Sequence, residues 1–462
     1  MNKKILLGLA PVATLAPVAM TVSCGETDEF FKEGQMKDAN GQVVEGRKSI
    51  STLGHIASNP SFKLADNQKN NKTVFITDEG TVEDKSFNQS GWEAVHKLSY
   101  ELGLDIAKSK GNKKLFNSYR QPEAGKLLPT YEQVIGSGQY KYIVLCGFTH
   151  GKPLETAFKN EKLLKLIEEK GMIFICVDFA PSSDDATTAE KLKKHSISVM
   201  FDTAVAGYMA GYGLANYFAE KYPTDAAKRT IGAFGGIPWP AVSDFIIGTF
   251  AGIEEANKAN AGKTTHSINT RINLDSGFES GSQKSSQAIN EIKAAQAWYP
   301  VAGSLSVQAS KLLDSDRFLI GVDADQAVSL TNVRIYTSVM KLVGQAIYNI
   351  LGNLYTYGDV SKIPKLATWA TDHTAKMFGY NVQDATQRYV NVAPAHLLNA
   401  ENDKLAEKSL NAAVAYYQAN ASTINSTLAG LQERFKPSTG IAYPAIFQQV
   451  TDGLAAAINA QK

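Results

Sequence analysis

Between Thr77 and Ser90 the chain places a carboxylate (Asp78), an aromatic ring (Phe87) and an amide (Asn88) in one short loop. A carboxylate accepts hydrogen bonds, an amide both donates and accepts, and a ring offers a π-face. That set suits a nucleobase, which combines a π-face with an edge of mixed donors and acceptors. The competing reading is purely structural: Asp84 or Ser86 caps the helix that follows, and Phe87 packs into a core.

Signatures of catalysis fail elsewhere in the chain. Gly147-Phe148-Thr149-His150-Gly151-Lys152-Pro153 has the wrong spacing for a phosphate loop and puts Pro153 where the magnesium-binding hydroxyl belongs. There is no Gly-x-Ser-x-Gly elbow, no His-Glu-x-x-His and no Cys-x-x-Cys, and the 7 histidines are scattered. These residues point to binding, with no enzyme activity, cofactor or metal expected.

The loop must be held by its neighbours. It follows the apolar run Val74-Phe75-Ile76 and opens a helical stretch, Gly91 to Leu102. In open parallel sheets, ligands bind beyond the carboxyl ends of the strands, which is where this loop falls. Further apolar runs lie at Tyr142–Cys146, Ile173–Val177, Ile197–Val199, Ile231–Phe234 and Phe318–Val322. Helical stretches separate them: Pro153–Lys170, Ala204–Glu220 and Ser243–Asn257. Gly103 and Gly171 directly follow two helical stretches, as stop signals do. Buried runs alternating with amphipathic helices predict an α/β fold with parallel sheets covered on both faces. Their number predicts two Rossmann-like lobes joined by a hinge near Met200–Asp202. Residues from about 401, including Lys404–Ala419 and Ala445–Ala460, read as a helical appendage. No internal repeat is discernible.

The other end sets the location. Met1-Asn2-Lys3-Lys4 is basic, Ile5 to Val22 is apolar and uncharged, and Ser23-Cys24-Gly25 follows. This resembles a lipoprotein signal peptide over residues 1–23, with Cys24 acylated and the mature protein held on the extracytoplasmic face of the cell membrane. Residues 24–71 are polar and read as a flexible tether. Losing Lys3 and Lys4 with the signal takes the formal net charge from +2 to 0, which gives no argument for binding nucleic acid. Cys146 and Cys176 sit in apolar runs and read as buried thiols, not a disulfide.

The stretch Thr77 to Trp92 resembles the signature of the basic membrane protein (BMP) family, substrate-binding lipoproteins of ABC transporters similar to purine nucleoside receptors. Weaker matches continue in order through Leu145–Phe148, Val177-Asp178, Ile231–Gly236, Phe245–Gly248, Gly321–Asp325 and Thr337–Lys341, covering roughly residues 72 to 395. The resemblance implies a type I periplasmic-binding-protein-like fold. It implies an N-terminal lobe of residues 72–200 and 326–360, a C-terminal lobe of 201–325 and 361–400, and an extension of 401–462. By position, Phe87 and Asn88 would stack on and hydrogen-bond the base, and Phe245 would form the opposing wall. Asp323 would accept from ribose hydroxyls, Lys341 would lie near the sugar, and Asp78 and Gly303 would line the site. Trp239, in Ile237-Pro238-Trp239-Pro240, departs from the family and either enlarges the aromatic box or caps the loop.

The function so implied is capture of nucleosides, purine nucleosides in particular, by a monomer that delivers them to an ABC permease. Two alternatives remain on the sequence: a surface adhesin or signalling lipoprotein with a degenerate pocket, and a receptor for another small solute such as a sugar.

Overall fold

Alternation of buried apolar strands with helices builds two lobes. The computed structural model describes residues 33–38, 40–78, 80–104, 117–123, 125–435 and 444–461. The signal segment and Cys24 lie outside them.

The N-terminal lobe begins with β3 (Thr73–Ile76), α1 (Phe87–Glu101), β4 (Ser118–Arg120), α2 (Leu127–Gly136) and β5 (Tyr142–Cys146). It continues through α3 (Gly151–Lys159), α4 (Glu161–Lys170), β6 (Ile173–Val177), α5 (Ala186–His195) and β7 (Ser196–Phe201). The C-terminal lobe follows with α6 (Thr203–Lys221), β8 (Thr230–Gly235), α7 (Pro240–Ala259), β9 (His266–Ser267) and α8 (Gln283–Ile292). Then come β10 (Ala297–Val301), α9 (Leu305–Ser310), β11 (Phe318–Asp323) and β12 (Ile335–Lys341). The chain returns to the first lobe for α10 (Val343–Tyr357), α11 (Trp369–Asp372) and β13 (Lys376–Phe378). It ends in the second with β14 (Val390–Val392), α12 (Ala400–Arg434) and α13 (Ala445–Ala460).

The two six-stranded sheets share one plan. Their orders are β13-β7-β6-β5-β3-β4 and β14-β12-β11-β10-β8-β9, so β6 matches β11 and β5 matches β10. The repeat missing from the sequence is therefore present in the topology. All pairings are parallel except β12 with β14. Every residue of β5 is buried, as a strand covered on both faces requires.

Pairing also corrects the lobe boundaries. Residues 335–341 belong to the C-terminal lobe because β12 pairs with β11. Residues 376–378 belong to the N-terminal lobe because β13 extends β7. The crossings thus fall at 201–203, at 341–343 and between β13 and β14. The single helix expected over Pro153–Lys170 is broken at Asn160, whose extended backbone (φ −81°, ψ 108°) stops α3 while its side chain caps α4. Helices α6 and α7 pack almost backbone to backbone: a methyl on Gly211 would lie 1.8 Å from the Thr249 carbonyl oxygen.

Residues 33–71 are no loose tether. β1 (Glu33–Lys37) and β2 (Val43–Ile50) form an antiparallel hairpin, and the strap that follows buries Leu53, Ile56 and Phe62. The Phe62 ring packs on Tyr348 of α10 with centroids 5.6 Å apart, and Arg47 donates to the Phe62 carbonyl. Polar composition hid three well-spaced apolar anchors. The C-terminal helices also have work within the fold. Asn459 of α13 accepts from the Ser267 N–H and donates to its carbonyl, satisfying the edge strand β9, while Asp452 accepts from the Ile272 N–H.

Candidate functional site

Both sheets point their carboxyl ends at one cavity of about 440 Å³ between the lobes. Its wall includes Asp78, Phe87, Asn88, Phe245, Gly303, Asp323 and Lys341, seven of the eight residues expected from sequence. Trp239 is the exception. It stands outside the wall, and its ring packs on Phe148 at 5.9 Å, so it backs a wall residue of the opposite lobe. Phe148 and Phe278 line the cavity, 6.3 Å apart.

Asp84 reconciles the two readings of the first loop. One of its oxygens accepts from the Ser86 and Gln89 N–H groups, the other from the N–H and side-chain amide of Asn88. It anchors the first turn of α1, leaving Phe87 partly exposed at the cavity wall. Asp78 accepts a second bond from the Asn88 amide at 3.1 Å. With two carboxylates facing Nδ2, the orientation of Asn88 is fixed, and Oδ1 is left buried without a hydrogen-bond partner. The Thr149 hydroxyl, on the same wall, is buried and unpartnered too.

Charge concentrates at the other end of the cavity. Lys341 Nζ lies 2.5 Å from Asp178 and 3.5 Å from Asp323, with all three side chains at most 10% exposed. Burial opposes the Lys341 charge, but the two acids outweigh it and hold the ammonium above the usual lysine range. Burial likewise pushes the Asp178 carboxyl up, with Lys341 counteracting. The ammonium also sits over both wall rings, 4.9 Å from the Phe87 centroid and 5.1 Å from that of Phe245. Asp178 directly follows β6 and Asp323 ends the matching strand β11, both with left-handed backbone (φ +67° and +65°). Such strain in non-glycine residues marks functional sites.

Asp178 was not among the site residues expected from sequence, although it directly follows the apolar run Ile173–Val177. Asp244, half-buried near Lys341, is pushed up to about 7 by burial and by Asp202. Among the described residues no group of three His, Cys, Asp or Glu side chains is placed to hold a metal ion. The arrangement can grip a flat ring, neutral hydroxyls and an N–H donor.

The comparisons agree on one family. Residues 71–369 match the family model Bmp, described as ABC transporter substrate-binding protein PnrA-like. Basic membrane protein A of Borreliella burgdorferi is 24% identical over 340 residues, 73% of this chain and 85% of that one. Basic membrane protein D of the same species is 24% identical over 287 residues, 62% of this chain and 72% of its own. In fold, the chain is similar to a solute-binding protein of an ABC transporter system from Aeropyrum pernix K1. The TM-score is 0.52 at 16% identity, covering 84% of this chain and 99% of that one. With the two-lobed fold, a shared cavity and a family match over residues 71–369, the chain belongs to the Bmp family, the PnrA-like substrate-binding proteins of ABC transporters.

Proposed function

We propose that this substrate-binding protein captures nucleosides, purine nucleosides in particular, and delivers them to its ABC permease from a lipid anchor at Cys24. The observation that carries the reading is the pair of rings, Phe87 from one lobe and Phe245 from the other, on the wall of one cavity. Lobe closure brings them to a shared ligand, and base–aromatic stacking is worth about 1–3 kcal/mol per base. The free Asn88 Oδ1 demands an N–H donor, which adenine offers at its exocyclic amine and a 6-oxopurine at N1. The acids around Lys341 suit ribose hydroxyls. A phosphate fits poorly, because Asp78, Asp84, Asp178, Asp323, Glu83 and Glu279 face the cavity against Lys85 and Lys341.

No helix of the described residues is long and apolar enough to cross a membrane; the attachment proposed here is an acyl group on Cys24. The test is mass spectrometry of whatever the purified protein releases on denaturation, followed by calorimetric titration with adenosine and guanosine. Released nucleosides with micromolar or tighter binding support the reading. A released sugar, or no heat with any nucleoside, overturns it.

A further inference from the structure

The strap lies outside the family-matched residues 71–369, yet it touches both lobes. On the N-terminal side the Leu53 N–H donates to Glu93 of α1 at 2.7 Å. Gly54 fits there only for want of a side chain, since a methyl would lie 2.6 Å from Ser90 Oγ. On the other side His55 Nε2 lies 2.9 Å from Asp325 Oδ2 in the C-terminal lobe. His55 holds a left-handed backbone (φ +49°), which a β-carbon disfavours. Both contacts reach into the site. Glu93 shares α1 with Phe87 and Asn88, and Asp325 follows Asp323 by two residues.

We infer that His55 is a positioning residue for ligand binding: its ion pair with Asp325 ties the strap to the C-terminal lobe and holds the two halves of the cavity in closed register. The inference rests on the binding reading above, but the open–closed balance it concerns can be measured without any ligand. Two elements bring charged groups to the ring. The loop after β11 contributes Asp325, and α1 contributes Glu93. From Ser51 to Ser61 the strap carries no other titratable side chain.

The hydrogen bond that the ring donates to Asp325 holds the imidazolium above the usual histidine range. A histidine raised in the closed form stabilises that form fully below its ordinary pKa of about 6.5, and the gain is lost as pH climbs through the raised value. Because the ring is 54% exposed, the effect is modest, about two- to fivefold in the closed-to-open ratio. Glu93, pushed up to about 7 by burial, titrates in the same window and must be separated by mutation.

The test places dyes on Lys162→Cys and Asn290→Cys, both exposed and on opposite lobes, and reads the ratio by single-molecule energy transfer. Ligand-free protein is expected to lose about two- to fivefold of its closed fraction ratio from pH 6 to pH 8.5. His55→Gln and Asp325→Asn should both flatten that profile while keeping the apo melting temperature. Calorimetry with adenosine and guanosine should show the same fall in affinity for the unsubstituted protein alone. A flat profile before mutation, or a slope that survives in both variants, overturns the inference. Should neither nucleoside bind while the slope still depends on His55, the nucleoside reading fails and this one stands.

Discussion

Phe87 and Phe245 share a cavity wall but differ in what else rests on them. Phe87 is partly exposed at the start of α1, whereas Phe245 is 1% exposed within α7. Phe87→Ala should therefore weaken nucleoside binding by about 1–3 kcal/mol with the apo melting temperature nearly unchanged. Phe245→Ala should lose binding and also about 3–5 kcal/mol of stability. Titration calorimetry beside apo thermal melts distinguishes the two. A large apo melting loss in Phe87→Ala with intact affinity would make it a core residue.

Asp244 gives a pH prediction at the same scale. Its carboxyl is raised to about 7, so the folded state binds a proton more tightly than the unfolded chain and stability falls as pH rises from about 4 to 7. Asp244→Asn should raise the apo melting temperature at pH 8 and leave it nearly unchanged at pH 4. Equal shifts at both values would remove the carboxylate from the account. Asp78, Phe87 and Asn88 were legible from the chemistry of one loop after an apolar run, whereas Asp323 and Lys341 came only through the family resemblance. Trp239 was left between two roles because sequence gives the position of a ring along the chain and not which side of the wall it takes.

At the scale of elements, continuous apolar runs made the central strands visible. Edge strands were not: β13 and β14 have 3 residues each, and β1 carries Glu33, Gln35 and Lys37. Half-covered or short strands need few apolar residues, so their pattern approaches that of a loop. The strap escaped for the same reason, since Leu53, Ile56 and Phe62 do the packing amid Ser, Thr, Asn and Pro. Phe62 is 3% exposed, and its ring fills the space beside Gly352 on α10. Phe62→Ala should accordingly cost about 3–5 kcal/mol in urea unfolding of the apo protein. A tether would lose nothing.

For the whole molecule, contacts between the lobes define a closed state. Lys341 meets Asp178, Ser86 Oγ donates to Asp323 at 3.0 Å, and Phe148 meets Trp239. Lys341→Met would leave Asp178 and Asp323 facing each other, buried and without their cation. It should cost about 3–5 kcal/mol, measured as lost affinity and a larger scattering radius with ligand present. An unchanged radius would show that the ion pair does not hold the lobes together. Cys24→Ser should leave ligand affinity intact and move the protein from the detergent phase to the aqueous phase; full retention would refute acylation.

If Cys24 is acylated as proposed, the hairpin gives the anchor a geometric meaning. β1 begins at Glu33, nine positions after Cys24. Nine residues span at most about 30 Å, however they fold. An acylated receptor is then on a short leash, moored by the N-terminal lobe, and patrols only a thin shell above the lipid headgroups. Within that shell its effective concentration at a neighbouring permease approaches the millimolar range. Encounter becomes a matter of lateral diffusion and rotation about the mooring, so weak docking suffices for transfer.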